Sequence, residues 1–320
     1  MASLAESDVG RRLVAFAPAK LNLSLAVLAR RPDGFHDIES LMVPVSLGDR
    51  LIVAATAEPG VRLAVRFGPG LADSGLDRDV PSDASNLVVR AATALAREAG
   101  VRGGLTIDLV KDVPAGAGLG GGSSDAAAVL VAAARAWGID WPRPRLAEIA
   151  ATIGSDVPFF LAEGPAIARG RGERLEPVGG LPALPVVIAC PATGLSTAAV
   201  YAACEPDAGR RGDAGRLAQA LAAGGLRAAM PYLTNALEPP ARRLSADVDA
   251  LLAAMAAAGA VCPRLTGSGS ACFALARSAA EAQAIAARLV AARGPEGERR
   301  WPGVFTVRLA VAGRRCGAMG

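Results

Sequence analysis

Lysine and histidine are nearly absent from this 320-residue chain. Only Lys20 and Lys111 are lysines among the 34 basic residues, and His36 is the only histidine. A metal site around His36 would need carboxylates as all its other ligands, which excludes the usual histidine-rich centres. Arginine serves wherever a general positive charge is enough. We therefore expect the two lysines to mark positions that need a compact ammonium group, with chance retention as the alternative.

Aromatic residues, long apolar runs and paired cysteines are also scarce. The aromatic content of 4% argues against a stacking surface for single-stranded nucleic acid. No run of 18 apolar residues suggests a membrane span, and residues 1–8 carry acids without the apolar stretch of a signal peptide. The five dispersed cysteines lack C-x-x-C spacing, so we expect free thiols in a reducing cytoplasm and no zinc site. The net charge of +4 suits an anionic small substrate without identifying one.

The order of apolar segments predicts an α+β protein of two domains. Strand-like patterns cover residues 12–28, 38–47 and 50–56, and helical patterns cover 86–99, 143–153 and 240–258, with Asp83 or Ser85 near the cap of the first helix. Residues 164–180 are rich in glycine, arginine and proline, which favours a junction there. We place the N-terminal domain at residues 12–168 and the C-terminal domain at residues 180–315.

The most informative stretch is residues 114–124, Pro-Ala-Gly-Ala-Gly-Leu-Gly-Gly-Gly-Ser-Ser. The alternating segment 105–111 before it predicts a strand, and the alanine-rich segment after it predicts a helix with a serine N-cap. This layout is typical of phosphate binding, because glycine lets the backbone approach an anion and the helix N-terminus presents N–H groups.

Three kinds of phosphate loop compete for this stretch. No lysine follows Gly122, which excludes a P-loop. A dinucleotide fingerprint fits formally at Gly116, Gly118 and Gly121, but Asp140, at the required distance, is not on a predicted strand. The third possibility is a Gly-Ser loop around a nucleotide triphosphate, with catalytic residues supplied elsewhere. A flexible linker is the remaining alternative.

Other segments carry groups that phosphoryl transfer would need. Asp156, in a Gly-Ser-Asp turn, is a candidate proton acceptor, although a lone Asp there is more often a helix cap. Strand alternation puts Lys20, Asn22 and Ser24 on one face. The Phe35-His36 pair suits recognition of a heteroaromatic ring by stacking and hydrogen bonding, although a lone loop histidine is usually a surface residue.

Three motifs together resemble the galactokinase, homoserine kinase, mevalonate kinase and phosphomevalonate kinase (GHMP) superfamily. They are Pro18-Ala-Lys-Leu-Asn-Leu, residues 114–124, and Leu265-Thr-Gly-Ser-Gly-Ser. Arg31-Pro-Asp-Gly-Phe-His, residues 154–160, Ser196-Thr197 and Asn235-x-Leu-Glu238 resemble its members that act on diphosphocytidyl methylerythritol. The match runs from about residue 12 to 312.

The resemblance implies a fold, an activity and a donor. The fold is an N-terminal domain like ribosomal protein S5 domain 2 and a ferredoxin-like C-terminal domain, with the site between them. The activity is ATP-dependent phosphorylation of the substrate 2-hydroxyl, a step of the non-mevalonate route to isoprenoid precursors. Mg²⁺ is expected with ATP, with no certain protein ligand beyond Ser124. We expect a small-molecule substrate, no nucleic-acid or membrane partner, and a monomer or weak homodimer.

The resemblance also implies the site residues. Asp156 is the base and Lys20 the charge-stabilising partner. Phe35 stands where many relatives carry tyrosine, so a hydroxyl contact is lost there. The implied ATP-binding residues are Pro114, Ala115, Gly116, Ala117, Gly118, Leu119, Gly120, Gly121, Gly122, Ser123, Ser124, Asn86, Leu87, Lys111, Gly267 and Ser268. The implied substrate-binding residues are Asn22, Phe35, His36, Thr197 and Tyr201.

Two alternatives stay open at this point. One is a GHMP kinase for another small alcohol, such as mevalonate or homoserine. The Gly-Phe-His loop and the Asp156 motif argue against it. The other is a non-catalytic nucleotide-binding protein of the same fold. Retention of both Lys20 and Asp156 argues against that alternative, because a binding protein needs no base.

Overall fold

The computed structural model describes residues 12–72, 74–76, 80–162 and 164–311. The expectations for residues 1–8 and for Cys316 lie outside these ranges. The strands are β1 Leu13–Arg30, β2 His36–Thr56, β3 Gly60–Phe67, β4 Gly104–Lys111, β5 Ala166–Gly170, β6 Arg174–Pro177, β7 Pro185–Cys190, β8 Arg264–Leu265, β9 Cys272–Leu275 and β10 Gly303–Arg308. The helices are α1 Pro69–Ala72, α2 Leu87–Ala99, α3 Gly121–Ala136, α4 Arg143–Ile153, α5 Val157–Leu161, α6 Thr197–Ala202, α7 Asp213–Ala229, α8 Glu238–Leu244, α9 Ala246–Ala257 and α10 Ala279–Ala291. Among the described residues, no helix is both long and apolar enough to cross a membrane.

The N-terminal sheet is organised around the long strand β2. This strand pairs antiparallel with β1, β4 and β5, while β3 adds to β4 in parallel. Helices α2 to α5 pack with the sheet around one apolar core. The prediction of two strands, 38–47 and 50–56, was wrong, because the chain stays extended through Gly48. A Cβ atom at Gly48 would lie 2.6 Å from the Ala17 carbonyl oxygen, so β2 approaches β1 closely at this glycine.

The C-terminal sheet is antiparallel, in the order β10-β7-β9-β8. Its strand β7 is apolar throughout because both of its faces are buried. Val187 and Ala189 face a core shared with α9 and α10, whereas Val186 and Ile188 face the N-terminal half of the chain. The two halves therefore share a continuous apolar interface.

Three predictions about helix ends were wrong. The predicted helix at 240–258 is two helices, because Ser245 adopts extended backbone and its Oγ caps α9. The predicted serine N-cap of α3 is Gly120 instead, at φ 71°, so the helix begins two residues before Ser123. The cap of α2 is Asn86 rather than Asp83 or Ser85, and its Oδ1 accepts from the Val88 amide at 2.9 Å.

Residues 164–180 contain a strand pair rather than an unstructured junction. Strand β5 pairs with β2, and β6 pairs with β5, so the N-terminal sheet extends to Pro177. The buried carboxylate of Glu39 then ties this sheet to the second half of the chain. It accepts from the Gly212 amide at 2.7 Å and from Arg169 Nε at 3.0 Å. The division at residues 168 and 180 remains a prediction.

Candidate active site

A cleft of about 1130 Å³ opens where the two halves of the chain meet. It gathers segments that are far apart in sequence: the face of β1, the loop before β2, the glycine loop before α3, the start of α6 and the second Gly-Ser turn. The sequence-predicted site residues on its wall are Lys20, Asn22, Phe35, His36, Asn86, Leu87, Lys111, residues 114–123, Asp156, Thr197, Tyr201, Gly267 and Ser268. Ser124 is the exception, because its side chain is fully buried behind the loop.

Lys20 and Asp156 face each other in this cleft. Lys20 Nζ lies 3.7 Å from Asp156 Oδ2, and the lysine is buried while 37% of the aspartate side chain is exposed. Asp156 occupies the N-cap position of α5, but its side chain makes no capping hydrogen bond. Burial lowers the pKa of Lys20, and the nearby Asp156 carboxylate partly opposes that effect. The pair places an acceptor for a proton beside a cation.

A hydrogen-bond chain fixes the direction of Lys20. Its Nζ donates to Asn22 Oδ1, and Asn22 Nδ2 donates to Ser40 Oγ at 2.7 Å. Ser40 Oγ in turn donates to the Ser24 carbonyl at 2.6 Å. The backbone amide of Asn22 donates to Thr266 Oγ1 at 3.0 Å. Lys20 and Asn22 therefore share one face of β1, as predicted, and their network also reaches the second Gly-Ser turn. The prediction was wrong for Ser24, because a bulge between Asn22 and Ser24 shifts the register by one residue and Ser24 joins the network through its backbone carbonyl.

The two glycine-rich loops touch each other and close one wall of the cleft. The Ala271 amide donates to the Ala117 carbonyl at 3.0 Å, and the Lys20 amide donates to the Leu119 carbonyl at 2.9 Å. A Cβ atom at Gly118 would lie 2.5 Å from the Thr266 carbonyl oxygen. Gly118 also has φ 80°, a value that side chains disfavour. Glycine is required because the loops approach backbone to backbone.

Asn235 and Glu238 hold the second loop in place. Asn235 Nδ2 donates to the carbonyls of Leu265 and Gly267, at 2.9 and 2.8 Å, and its Oδ1 accepts from the Leu237 amide. Glu238 Oε2 accepts from the Leu265 amide at 2.9 Å. These contacts give a physical reason for the Asn-x-Leu-Glu motif, because its side chains hold the backbone of the second loop.

Replacing Asn235 with Asp tests this positioning role. The carboxylate keeps the shape and the acceptor for Leu237, but it loses both N–H donors and sets oxygen against two carbonyls. We expect the KM for ATP to rise about 10-fold, as a loss of roughly 1.5 kcal/mol would give. Initial rates at varied ATP concentration measure this effect, with Asp140→Asn, the reverse exchange at an exposed loop residue, as the control. An unchanged KM for ATP in a folded Asn235→Asp protein would remove the residue from loop positioning.

Lys111 lies below the glycine loop in a buried ionic cluster. Its Nζ donates to Asp49 and, at 2.7 Å, to Asp125 Oδ2. Asp49 Oδ1 also accepts from the amides of Asp112 and Val113, at 2.6 and 2.8 Å. Burial raises the pKa of Asp125, and Lys111 partly opposes the shift. The cluster joins the end of β4 to the first turn of α3 and so fixes both ends of the loop.

The other end of the cleft is aromatic. The ring centroids of His36 and Tyr201 lie 5.1 Å apart, and Phe35, directly before His36 in the chain, is half-exposed. His36 Nε2 is buried without a hydrogen-bond partner among the described residues. Burial, with a smaller contribution from Arg30, lowers the pKa of His36, so the imidazole is neutral at pH 7. A flat heteroaromatic group could stack here and satisfy that nitrogen.

Sequence reasoning missed three charged residues of the site. Asp49 and Asp125 carry no local pattern that predicts contact with Lys111, since Asp49 lies within a strand and Asp125 within a helix. Arg171 also lines the cleft, in the turn between β5 and β6. Its signal was available in Gly170-Arg-Gly172, an arginine between two glycines, within the segment interpreted as a junction.

Known proteins with similar sequences are kinases. The family of GHMP kinases N terminal domains matches residues 86–164, and the family of GHMP kinases C terminal domains matches residues 200–296. A 4-diphosphocytidyl-2-C-methyl-D-erythritol kinase of Pelotomaculum thermopropionicum is 41% identical, covering 86% of this chain and 93% of the relative. A kinase of the same name from Rhodopirellula baltica is 43% identical, with coverages of 88% and 91%.

The chain belongs to the 4-diphosphocytidyl-2-C-methyl-D-erythritol kinase family.

Solved structures agree with this family and with the two-domain α+β fold. A crystal structure of a 4-(cytidine 5'-diphospho)-2C-methyl-D-erythritol kinase matches with a TM-score of 0.72 and 37% identity, covering 93% of this chain and 99% of the other. A homoserine kinase from Cytophaga hutchinsonii has the same TM-score of 0.72 at 22% identity, which supports the fold alone. The predicted GHMP kinase fold is confirmed.

Proposed function

We propose that this protein transfers the γ-phosphoryl group of ATP to the 2-hydroxyl of 4-diphosphocytidyl-2-C-methyl-D-erythritol, a step of the non-mevalonate route to isoprenoid precursors. The observation that carries the proposal is the arrangement of one cleft. A glycine loop for phosphates, the Lys20–Asp156 pair and an aromatic pocket all lie on its wall. A kinase with this substrate needs all three.

Asp156 is the base in this proposal. Its partly exposed carboxylate accepts the proton of the substrate 2-hydroxyl as that oxygen bonds to the γ-phosphorus. The bond from the γ-phosphorus to the β,γ-bridging oxygen breaks, and ADP leaves. Lys20 Nζ, held by Asn22 beside Asp156, stabilises negative charge on the phosphoryl group in flight. Because both groups are fixed by other contacts, little reorganisation is needed during transfer.

The glycine loop binds the ATP phosphates. Gly118 and Gly120 adopt positive φ, which directs backbone into the cleft, and α3 begins at Gly121 with its N–H groups at the loop. Asn86, Leu87 and Lys111 line the adjoining part of the cleft, where we place adenine. Gly267 and Ser268 border the phosphates from the second loop.

Mg²⁺ accompanies ATP in this proposal. The described residues contain no group of three or more His, Cys, Asp or Glu side chains that could hold a metal ion. Mg²⁺ commonly binds substrate phosphates and keeps several waters. Ser124 Oγ and Asp125 Oδ1 are both buried without a hydrogen-bond partner among the described residues, and Asp125 lines the cleft, so these two oxygens would hold it. The ion would neutralise phosphate charge when bound.

The aromatic pocket holds cytosine. Phe35 and Tyr201 supply faces for stacking, and His36 supplies a neutral ring nitrogen for the polar edge of the base. Thr197 and Asn22 lie between this pocket and the phosphates, and Thr197 Oγ1 is 2.8 Å from Ser268 Oγ. We therefore assign Asn22 and Thr197 to the methylerythritol end of the substrate.

Replacing His36 with Ala separates the acceptor site from the donor site. We expect the KM for the cytidylyl substrate to rise about 10-fold, because an unpaired hydrogen-bonding group in a buried site costs on the order of 1–3 kcal/mol. The KM for ATP stays the same. Initial rates with each substrate varied in turn measure both constants. An equal rise in the two values would overturn the assignment of cytosine to this pocket.

The regiochemistry of the product tests the proposed function. The purified protein is incubated with ATP, Mg²⁺ and diphosphocytidyl methylerythritol, and phosphorus and proton NMR locate the new phosphate. We expect a monoester on the 2-oxygen. A phosphate on another carbon, or no ester in a protein that binds both substrates, contradicts the proposal.

We place this reaction in the cytoplasm. Cys204, Cys262 and Cys272 are free thiols, which supports a reducing compartment. The substrate is a small molecule, and no nucleic acid or membrane takes part in the proposed chemistry. A monomer or weak homodimer remains our prediction for the assembly.

A further inference from the structure

Five cationic side chains line the cleft, and four of them already have partners. Lys20 meets Asn22 and Asp156, and Lys111 meets two aspartates. Arg30 donates to the carbonyls of Ala202 and Cys204, and Arg31 pairs with Asp33 and Asp37. The remaining cation is Arg171.

Arg171 has a guanidinium group without a hydrogen bond or ion pair among the described residues. The guanidinium lies over the ring of Phe35, whose centroid is 4.9 Å from Arg171 Cζ. The charge of Arg171 acts on one nearby carboxylate, that of Asp33. The pKa of Asp33 is lowered chiefly by a hydrogen bond from Arg31 and only in small part by Arg171. Arg171 therefore contributes an uncompensated positive charge to the cleft.

The backbone around Arg171 fixes its place between the two ends of the acceptor site. Gly172, at φ 115°, is buried, and a Cβ atom there would lie 3.8 Å from Asp156 Oδ1. The Arg171 amide donates to Glu173 Oε2 at 2.6 Å, which holds the turn. Asp156 thus lies beside Gly172, the residue after Arg171, and the aromatic pocket, at Phe35, lies beside the Arg171 guanidinium.

The proposed substrate has the same order of parts. Its cytidine and its methylerythritol are joined by a diphosphate, so the diphosphate must lie between the aromatic pocket and Asp156. A planar guanidinium donates paired hydrogen bonds to phosphate oxygens, and these are stronger than bonds between neutral groups. We propose that Arg171 binds the diphosphate of the acceptor substrate and selects acceptors that carry it. This proposal rests on the proposed function.

Binding of substrate fragments tests Arg171 without relying on turnover. Isothermal titration calorimetry measures CDP and cytidine binding to the full chain, with the ATP site saturated by a non-hydrolysable ATP analogue. For Arg171→Gln we expect the Kd of CDP to rise roughly 10-fold or more, because a charge-assisted hydrogen bond is lost. The Kd of cytidine stays within about 2-fold, because the ring pocket is unchanged. Arg174→Gln, an exposed residue of the same hairpin, is the matched control and keeps both values.

Steady-state kinetics supply a second readout. In Arg171→Gln the KM for the acceptor rises by the same factor as the Kd of CDP, while kcat and the KM for ATP hold, as expected for uniform binding. Equal weakening of CDP and cytidine would mean that Arg171 acts on the ring through Phe35, and unchanged CDP binding would mean that it makes no contact. Either result overturns the proposal. A wild-type protein that binds CDP through Arg171 but does not phosphorylate the acceptor would instead contradict the proposed function.

Discussion

Replacement of Asp156 by Asn is expected to lower kcat by roughly 100-fold or more, the contribution of a positioned general base. The amide has the shape of the carboxylate but cannot accept the hydroxyl proton. Asp156 makes no capping hydrogen bond, and its side chain is partly exposed, so α5 does not depend on a cap from this carboxylate. Single-turnover rates at saturating substrates measure the effect on transfer, separately from product release.

Two measurements make this result specific to Asp156. The Kd of a non-hydrolysable ATP analogue is expected to stay near the wild-type value, because the glycine loop is untouched. Asp140→Asn makes the same chemical change at an exposed residue outside the cleft and is expected to retain full activity. Turnover within a few-fold of wild type in Asp156→Asn would remove the residue from proton transfer.

Replacement of Lys20 by Met is expected to lower kcat by roughly 100-fold to 1000-fold, as the loss of a group that stabilises transition-state charge does. Methionine fills a similar volume, so the surrounding packing is kept. Lys20 Nζ is 3.7 Å from Asp156 Oδ2, and removing the cation deprives both the base and the migrating phosphoryl group of a positive partner. The same single-turnover assay measures the loss.

Lys20→Arg tests why the chain kept a lysine. The side chain runs between Gly120 and Gly267, where added Cβ atoms would lie 3.0 Å from Lys20 Cγ and 3.4 Å from Nζ. A guanidinium is wider than an ammonium and does not fit between these walls. We expect kcat of Lys20→Arg to be nearly as low as that of Lys20→Met. Near-normal turnover with arginine would show that charge alone is enough and would contradict the geometric account.

Strand periodicity predicted one part of the polar cluster in the cleft. Alternation along residues 12–28 placed Lys20, Asn22 and Ser24 on one face, because strand side chains repeat every two residues. Lys20 and Asn22 do share a face and are hydrogen-bonded to each other. Ser24 does not, because a bulge between Asn22 and Ser24 shifts the register by one residue, which alternation cannot predict. The distance from Lys20 to Asp156 could not be predicted in this way, because it depends on how α5 packs against α3 and α4.

Local turns were predicted less well, for identifiable reasons. Serine is a good N-cap, but Gly120 adopts the left-handed conformation that glycine alone takes easily, so α3 begins before Ser123. Glycine, arginine and proline in residues 164–180 favoured a domain junction there. In the structure, the glycines at 170 and 172 form the turn of a hairpin that carries Arg171 into the cleft.

Composition alone could not distinguish the surroundings of the two lysines. The rarity of lysine marked both Lys20 and Lys111 as sites that need an ammonium. Lys20 meets one partly exposed carboxylate, whereas Lys111 is enclosed with Asp49 and Asp125. A buried ion pair of that kind positions the backbone around it. Which lysine contacts reacting groups depends on tertiary contacts that no local pattern contains.

An ADP-release assay against a panel of acceptors tests the central claim most directly. Purified full-length protein is given ATP and Mg²⁺ with diphosphocytidyl methylerythritol, mevalonate, homoserine or galactose in turn. Of the four acceptors, we expect diphosphocytidyl methylerythritol to be the one that gives ADP release above background. We expect this ADP release to be lost in Asp156→Asn. Faster release with mevalonate or homoserine, or no release with any acceptor from a protein that binds ATP, would contradict the central claim.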